Sequence, residues 1–239
     1  LPILVMKKQT ILVVDDDREI VRAISKLLEL EGYETLKAYD GLEALDVLMD
    51  HTVHLILMDV MMPKLNGLSA VMKIRETKNI PIIILSAKTE ESDKIIGLSM
   101  GADDYVSKPF STEELVARVK AQLRRYMTLG SAYDSEPGSE EIHLGELVLN
   151  KDQKQMHVNG EEVRLTATEY KIVELLMSYP GRVFSSEEIY SRVWNEDAYA
   201  VENTVMVHIR RIREKIEIDP KNPKYLKVVW GIGYKMEKV

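Results

Sequence analysis

Five short apolar runs alternate with amphipathic segments over the first half of the chain, and this alternation constrains the fold more than any other feature. Gly and Pro punctuate the joints, and no Gly-x-Gly-x-x-Gly follows the first run, which disfavours a dinucleotide fold. Short apolar runs of this kind are typical of buried parallel strands, and the amphipathic segments of crossover helices. We predict a doubly wound α/β unit with a five-stranded parallel sheet. The predicted strands are 11–14, 35–38, 55–58, 81–85 and 105–107, and the predicted helices are 18–31, 42–51, 68–77, 90–100 and 112–126.

Carboxylates follow two of these runs. Asp15 and Asp16 come after the first run, and Asp59 comes directly after the third. By itself, Asp59 is equally well explained as a cap of a turn or helix. Because the carboxyl ends of parallel strands meet at one edge, where open α/β sheets bind ligands, we expect the three to lie together. Such like charges need a neutralising cation, and an all-oxygen site with room for water suits Mg²⁺.

Over about 120 residues the first half resembles the receiver domain of two-component response regulators. The resemblance rests on the two acidic strand ends, on ILSA at 84–87 and on GADDYVSKPF at 101–110. It implies that Asp59 is the phosphoacceptor. It further implies that Mg²⁺ is held by Asp16, Asp59 and the backbone carbonyl of Met61, with Asp15 binding through water.

The same resemblance assigns roles to three residues further along. Lys108 would pair with a phosphoryl oxygen, and the following Pro109 would be cis. Ser86 would donate its hydroxyl to the phosphoryl group, and Tyr105 would follow by rotating inward as a switch. Singly, these residues are also explained as a solvated lysine, a turn serine and a half-buried aromatic.

Charged residues of the predicted fourth helix, fifth strand and fifth helix are candidates for a dimer interface. Resembling regulators use this face for a symmetric dimer held by crossed ion pairs. The alternative is a set of ordinary solvated charges, each pair contributing about 0–1 kcal/mol. The candidates are Lys94, Asp103, Asp104, Glu114 and Arg118.

A second domain, 142–239, follows a polar segment at 127–141 that we interpret as a flexible linker; the first domain is 6–126. Strands are predicted at 142–150 and 153–158, with a tight turn at Asn159-Gly160. Thr166 and Glu169 form a predicted capping box that opens a helix to 177. Further helices at 185–194 and 202–218 precede a hairpin of 224–229 and 233–236. This α+β pattern resembles the winged helix-turn-helix of the OmpR/PhoB class, within it the VanR-like branch.

The helix predicted at 202–218 is the candidate DNA reader. Residues 203–239 contain nine basic and four acidic side chains, a local charge of +5 within a chain of net charge −7. Val205, Ile209, Ile212 and Ile216 form the predicted buried stripe. An exposed Val207 would touch a thymine methyl and Arg211 would reach guanine. The full set of DNA-binding candidates is Asn203, Thr204, Val207, His208, Arg210, Arg211, Lys215 and Trp230.

Some positions keep alternatives. His208 is also explained as a core or phosphate-contacting histidine. Asn203 and Trp230 stand where relatives often carry Arg, so Trp230 either packs on sugar or supports the hairpin. The segment 195–201 resembles the part of related regulators that touches RNA polymerase.

These features predict a cytoplasmic, phosphorylation-activated transcription regulator. Its partners would be a sensor histidine kinase, double-stranded DNA in direct repeats, RNA polymerase and a second copy of itself. The chain has no Cys, which excludes disulfides and thiolate metal sites, and no apolar run approaches the roughly 20 residues of a membrane span. It would not be a turnover enzyme. The alternatives are a Mg²⁺-dependent phosphatase, which usually needs a second Asp where Met61 stands, and a protein-binding adaptor.

Overall fold

The computed structural model describes residues 8–87, 91–130, 141–194 and 202–239. The chain divides into two compact units, Leu1–Leu123 and Arg124–Val239. Among the described residues, no helix has the length and hydropathy of a membrane span.

The first unit alternates strands and helices as predicted, and its sheet is parallel with the order β2-β1-β3-β4-β5. The predicted bounds agree with the observed ones within two residues, except at the end of α5. This helix continues through residues that were assigned to the linker and ends in the second unit. The elements are β1 Thr10–Val14, α1 Arg18–Leu30, β2 Glu34–Ala38, α2 Gly41–Asp50, β3 Leu55–Asp59, α3 Gly67–Thr77, β4 Ile82–Ser86, α4 Glu91–Ser99, β5 Asp104–Ser107 and α5 Thr112–Gly130.

Apolar side chains on both faces of this sheet form two separate cores. Leu12 and Ile56 contribute to one core, together with residues of α2 and α3. Ile11 and Leu55 point the other way and pack with residues of α1 and α5. Burial on both faces explains why the three central strands, β1, β3 and β4, are apolar runs and show no alternation of apolar and polar residues.

One glycine allows the close approach that frames the carboxyl end of β3. A Cβ built at Gly67, the first residue of α3, would lie 1.9 Å from the backbone oxygen of Asp59. Any side chain there would displace the last residue of β3. Asn66 caps α3 by accepting a hydrogen bond from the amide of Ser69 at 2.9 Å, which fixes the start of the helix beside the strand end.

Beyond the end of α5, the described part of the second unit contains a four-stranded antiparallel sheet, three helices and a two-stranded hairpin. The predicted capping box is present, and at the predicted turn Asn159 and Gly160 both have left-handed backbone angles. The single strand predicted at 142–150 is wrong, because Gly145, with φ +59°, turns the chain into a hairpin. The strand at Glu161–Val163, the fourth of this sheet, was not predicted. The elements are β6 Glu141–Leu144, β7 Leu147–Asn150, β8 Gln155–Val158, β9 Glu161–Val163, α6 Ala167–Ser178, α7 Ser186–Trp194, α8 Glu202–Ile216, β10 Leu226–Val229 and β11 Gly233–Met236.

Candidate functional site

Three aspartates meet at the carboxyl edge of the parallel sheet. Asp59 is the last residue of β3, and Asp15 and Asp16 follow the neighbouring strand β1. One carboxylate oxygen from each lies within 4.8 Å of the other two, with Asp15 and Asp59 buried and Asp16 exposed. The backbone orients two of them, since Asp15 accepts from the amide of Asp17 at 2.9 Å and Asp59 from the amide of Met61 at 2.7 Å.

Lys108 places its ammonium between the two buried carboxylates. Its Nζ lies 2.5 Å from Oδ2 of Asp15 and 2.6 Å from Oδ1 of Asp59. The peptide bond to Pro109 is cis, as the sequence predicted. Burial raises the pKa of the Asp59 carboxyl, and the hydrogen bond from Lys108 offsets only part of this rise. Burial lowers the pKa of Lys108, but its bonds to both carboxylates outweigh that effect and leave it raised.

Ser86 and Tyr105 lie close to this edge in the sheet. Ser86 ends β4, one residue beyond the position that pairs with Asp59, and is buried. Tyr105 lies on β5, and its ring is already buried, with Cδ2 3.4 Å from where a Cβ on Gly97 would lie. The structure therefore shows the inward position of Tyr105, and its role as a switch stays a prediction.

The donor set at this edge fits a hard divalent cation. All three side chains offer carboxylate oxygens, and Mg²⁺ prefers one or two carboxylates together with water or phosphate oxygens. The exposed position of Asp16 leaves one side of the cluster open to solvent. Lys108 already supplies one positive charge to Asp15 and Asp59.

The predicted dimer residues divide into buried and surface groups. Asp103 does not fit the predicted dimer interface, because it is fully buried and accepts a hydrogen bond from the Arg75 guanidinium at 2.7 Å. Asp104 is also buried and contacts Arg118 at 3.2 Å. Arg118 additionally contacts Glu114 at 3.2 Å. Glu114 is exposed, and Arg118 and Lys94 are partly exposed.

The face that α8 exposes differs from the predicted one. The predicted stripe at Val205, Ile209, Ile212 and Ile216 lies in the core of the second unit. However, Val207 is only 3% exposed, so its predicted exposure is wrong. Thr204, His208 and Arg211 are buried as well. The exposed residues are Met206, Arg210 and Glu214, with Asn203, Arg213 and Lys215 partly exposed.

An ion pair with a buried glutamate explains why Arg211 is buried. Glu169 of α6 is fully buried, and its Oε1 lies 2.8 Å from the guanidinium of Arg211. Its Oε2 accepts from Nζ of Lys215 at 2.6 Å and from the amide of Thr166 at 2.9 Å. Burial raises the pKa of Glu169, but Arg211 and Lys215 together outweigh burial and lower the pKa to about 2. From the sequence Glu169 was recognised only as part of a capping box, because nothing local marks its distant partners.

His208 lies in an aromatic cluster. Its ring is fully buried, with its centroid 5.4 Å from that of Trp194, which in turn stacks on Tyr190 at 4.7 Å. These aromatic contacts support the alternative interpretation of His208 as a core histidine. Trp230, in contrast, is exposed at the turn of the hairpin. The segment 195–201 lies outside the described residues.

A parallel receiver sheet with an aspartate and lysine cluster, followed by a winged helix, defines a class of signalling protein. Residues 11–120 match the response regulator receiver domain, and residues 160–236 match the transcriptional regulatory protein, C-terminal family. The chain belongs to the OmpR/PhoB class of two-component response regulators. It is therefore a transcriptional regulator with a DNA-binding output domain, and its family implies a histidine kinase as partner.

Particular relatives are similar over nearly the whole length. The regulatory protein VanRc of Enterococcus gallinarum is 43% identical over 230 residues, covering 96% of this chain and 99% of that protein. VanR of Enterococcus faecium is 42% identical, covering 95% and 98%. The transcriptional regulatory protein YcbL of Bacillus subtilis (strain 168) is also 42% identical, covering 94% and 99%.

Solved structures agree with the architecture. The response regulator DrrB, a Thermotoga maritima OmpR/PhoB homolog, is 29% identical with a TM-score of 0.51, covering 97% of this chain and all of that one. A mutant of RitR reaches a TM-score of 0.75 with the same coverage at 24% identity, which shows the fold alone.

Proposed function

We propose that phosphorylation of Asp59 activates this regulator, which then dimerises through its receiver and binds direct-repeat DNA. The observation that carries the proposal is the ammonium of Lys108, held between Asp15 and Asp59 at the carboxyl edge of the sheet. A buried carboxylate beside an ammonium group and an acidic cluster is the arrangement that phosphoryl transfer to aspartate requires.

In the proposed transfer, Asp59 is the nucleophile. One of its carboxylate oxygens forms the new bond to phosphorus while the bond to the leaving group of the donor breaks. Asp15, Asp16, Asp59 and the Met61 carbonyl would hold Mg²⁺, which when bound supplies positive charge to the phosphoryl oxygens. Lys108 exchanges its contact with Asp59 for one with a phosphoryl oxygen, a charge-assisted bond.

The activated state would be sensed by the side chain of Ser86. The hydroxyl of Ser86, at the end of β4, would donate to a phosphoryl oxygen, and the buried ring of Tyr105 would stay packed inside. For the dimer face we retain Lys94, Asp104, Glu114 and Arg118, and omit Asp103 because Arg75 already neutralises it inside the unit. The polymerase contact proposed for 195–201 rests on the resemblance alone.

The experiment that tests this function is a DNA titration with and without phosphorylation. Duplexes selected by the protein from a random library would be titrated by fluorescence anisotropy, with Mg²⁺ present and acetyl phosphate added or omitted. We expect tighter binding and a dimer by sedimentation only in the phosphorylated sample, and an affinity that falls steeply with salt. Binding that ignores both phosphorylation and salt would contradict the proposal and favour a protein adaptor.

The exposed face of α8 predicts which arginine contacts DNA. Arg210 is exposed and pairs with the exposed Glu214 at 3.1 Å, whereas Arg211 contacts the buried Glu169. We expect Arg210→Ala to weaken DNA binding by about 1–3 kcal/mol without changing stability. Arg211→Ala should instead lower the free energy of unfolding, because it leaves Glu169 short of one counter-charge.

Urea unfolding and DNA titration of both variants measure the two effects separately. Glu214→Ala is the matched control, since it removes the exposed partner of Arg210 and should not weaken DNA binding. If Arg210→Ala binds DNA like the unmodified chain while Arg211→Ala loses specific binding at full stability, the assignment of the two arginines is reversed.

A second expected result concerns the lifetime of the phosphorylated state. Met61 follows Asp59 by two residues and is 65% exposed, so its side chain borders the solvent side of the site. A thioether is only a weak acceptor and cannot orient an attacking water. We expect Met61→Asn to hydrolyse the aspartyl phosphate several-fold faster, a change in barrier of roughly 1 kcal/mol.

Loss of the phosphorylated species would be followed by mass spectrometry after removal of acetyl phosphate. Met49→Asn, which changes an exposed methionine of α2, is the control and should leave the half-life unchanged. An equal half-life in Met61→Asn would show that this side chain does not limit access of water. A phosphatase with an Asp nucleophile usually needs a general acid at the position of Met61, and a thioether cannot serve as one, so we propose no turnover activity. If hydrolysis is slow, inactivation of the regulator depends on a partner phosphatase.

A further inference from the structure

An ion pair joins two loops at the carboxyl edge of the receiver sheet. Asp40 lies between β2 and α2, and Lys64 lies between β3 and α3. Nζ of Lys64 is 2.5 Å from Oδ2 of Asp40. In the sheet β1 lies between β2 and β3, so this pair connects the loops on either side of the strand that leads to Asp15. A second link, from the amide of Gly41 to the oxygen of Leu65 at 3.0 Å, joins the same two loops.

The two carboxylate oxygens of Asp40 have separate partners. Oδ1 accepts hydrogen bonds from the amides of Leu42 and Glu43, both at 2.9 Å, and thereby caps α2. Oδ2 accepts from Lys64. The side chain of Asp40 is only 3% exposed, and the hydrogen bond from Lys64 is the main reason why the pKa of this carboxyl is lowered. The cap does not need the lysine, so the ion pair acts chiefly on the position of the second loop.

The conformation of Lys64 favours a role for its side chain. Its φ of +61° lies in the left-handed region, which glycine and asparagine adopt more readily than lysine. Its side chain is 59% exposed, and holding a long, exposed side chain in one ion pair costs conformational entropy. The loop therefore combines an unfavourable backbone angle with an ordered lysine. This combination favours a contact that does more than add general stability.

The loop that Lys64 holds also carries Met61, whose carbonyl is a proposed Mg²⁺ ligand. The amide of Met61 donates to Oδ2 of Asp59 at 2.7 Å, which fixes the first residues of the loop. The pair with Asp40 fixes the loop three residues later. Because the segment between these two contacts is short, a shift of the backbone at Lys64 is transmitted to the Met61 carbonyl.

We propose that the ion pair of Asp40 and Lys64 positions the carbonyl of Met61 for Mg²⁺, which makes both partners positioning residues for phosphoryl transfer. This inference rests on the proposed function, in which the aspartate cluster holds the cation, and deepens it. Neither Asp40 nor Lys64 binds the cation itself. Loss of either partner releases the loop and weakens the binding of Mg²⁺.

The sign of the effect separates positioning from simple electrostatics. Lys64→Asn removes a positive charge near an acidic cluster, so charge alone would tighten the binding of Mg²⁺. Asp40→Asn removes a negative charge, so charge alone would weaken it. Positioning predicts that both substitutions weaken binding, because each breaks the same contact. Asn suits both sites, since it caps helices as well as Asp does and tolerates left-handed backbone angles.

Titration of the full chain with MgCl₂ by isothermal titration calorimetry measures the dissociation constant. We expect Kd to rise several-fold in Lys64→Asn and in Asp40→Asn, and the double variant to bind no more weakly than either single variant. Lys64→Arg keeps a cation that can reach Asp40 and should bind Mg²⁺ almost normally. Lys73→Asn, at an exposed position of α3, is the matched control and should not weaken binding.

Phosphorylation by acetyl phosphate gives a second readout. In Lys64→Asn the Mg²⁺ concentration at half-maximal rate should rise by the same factor as Kd, while the rate at saturating Mg²⁺ stays near that of the unmodified chain. A loss of stability alone would lower the rate at every Mg²⁺ concentration. Circular dichroism would establish that each variant is folded.

The outcomes separate this inference from the proposed function. Tighter binding of Mg²⁺ in Lys64→Asn together with weaker binding in Asp40→Asn would show that the pair acts only through its charges and would overturn the inference. Unchanged binding in both variants would overturn it as well, and in either case phosphorylation of Asp59 would stand. If the unmodified chain binds no Mg²⁺ and takes up no phosphate, the proposed function itself is contradicted, and the inference with it.

Discussion

Replacing Asp59 by Asn is expected to abolish the uptake of phosphate from acetyl phosphate while the receiver stays folded. Asp59 ends a buried strand, and its Oδ1 already contacts the ammonium of Lys108 at 2.6 Å. An amide has almost the same shape but is not a nucleophile toward phosphorus, so the loss should be complete. It also removes a buried charge whose pKa is raised by burial, so stability should not fall by much.

Mass spectrometry of the intact protein measures this result as the absence of the phosphoryl mass increment. Asp50→Asn, at an exposed carboxylate at the end of α2, is the control and should take up phosphate normally. Circular dichroism would confirm that the Asp59→Asn variant is folded. If this variant is still phosphorylated to full occupancy, the phosphoacceptor is another residue and the proposal is contradicted.

The receiver could be predicted well from the sequence because its signals are local. The three central strands, β1, β3 and β4, are apolar runs buried on both faces, and several joints carry a glycine or a capping residue such as Asn66. The edge at which Asp15 and Asp59 meet then follows from parallel strand order. In the second unit the signals were weaker. The turn at Gly145 was not recognised, because apolar residues flank it on both sides. Glu161–Val163 is too polar to be recognised as a strand.

The exposed face of α8 could not be predicted, for a different reason. A helical wheel assumes that one apolar stripe determines burial, and that stripe was identified correctly. Arg211 and Lys215 lie outside it, and they are drawn inward by Glu169, which is more than 40 residues away in the sequence. The periodic pattern of apolar residues contains no information about ion pairs between residues that are distant in the sequence. The polar contacts that position α8 are therefore visible only in three dimensions.

This buried carboxylate leads to the second large expected effect. Glu169→Gln should lower the stability of the winged-helix unit by about 3 kcal/mol at neutral pH, because a fall of the pKa from 4.5 to about 2 corresponds to that free energy. Gln is accepted at the third helical position of a capping box, so the bond to the amide of Thr166 can persist. The variant thus removes mainly the charge that Arg211 and Lys215 neutralise.

The dependence on pH distinguishes this effect from simple loss of packing. The pKa of Glu169 is depressed on folding, so its contribution is complete above about pH 5 and is lost as the pH falls from 4.5 toward 2. Unfolding in urea would be followed by tryptophan fluorescence, since both tryptophans, Trp194 and Trp230, lie in the second unit. The difference between the unmodified chain and Glu169→Gln should shrink to about half or less at pH 3. Glu174→Gln, at a partly exposed position of the same helix, should show little difference at any pH, and a pH-independent loss in Glu169→Gln would contradict a role for its charge.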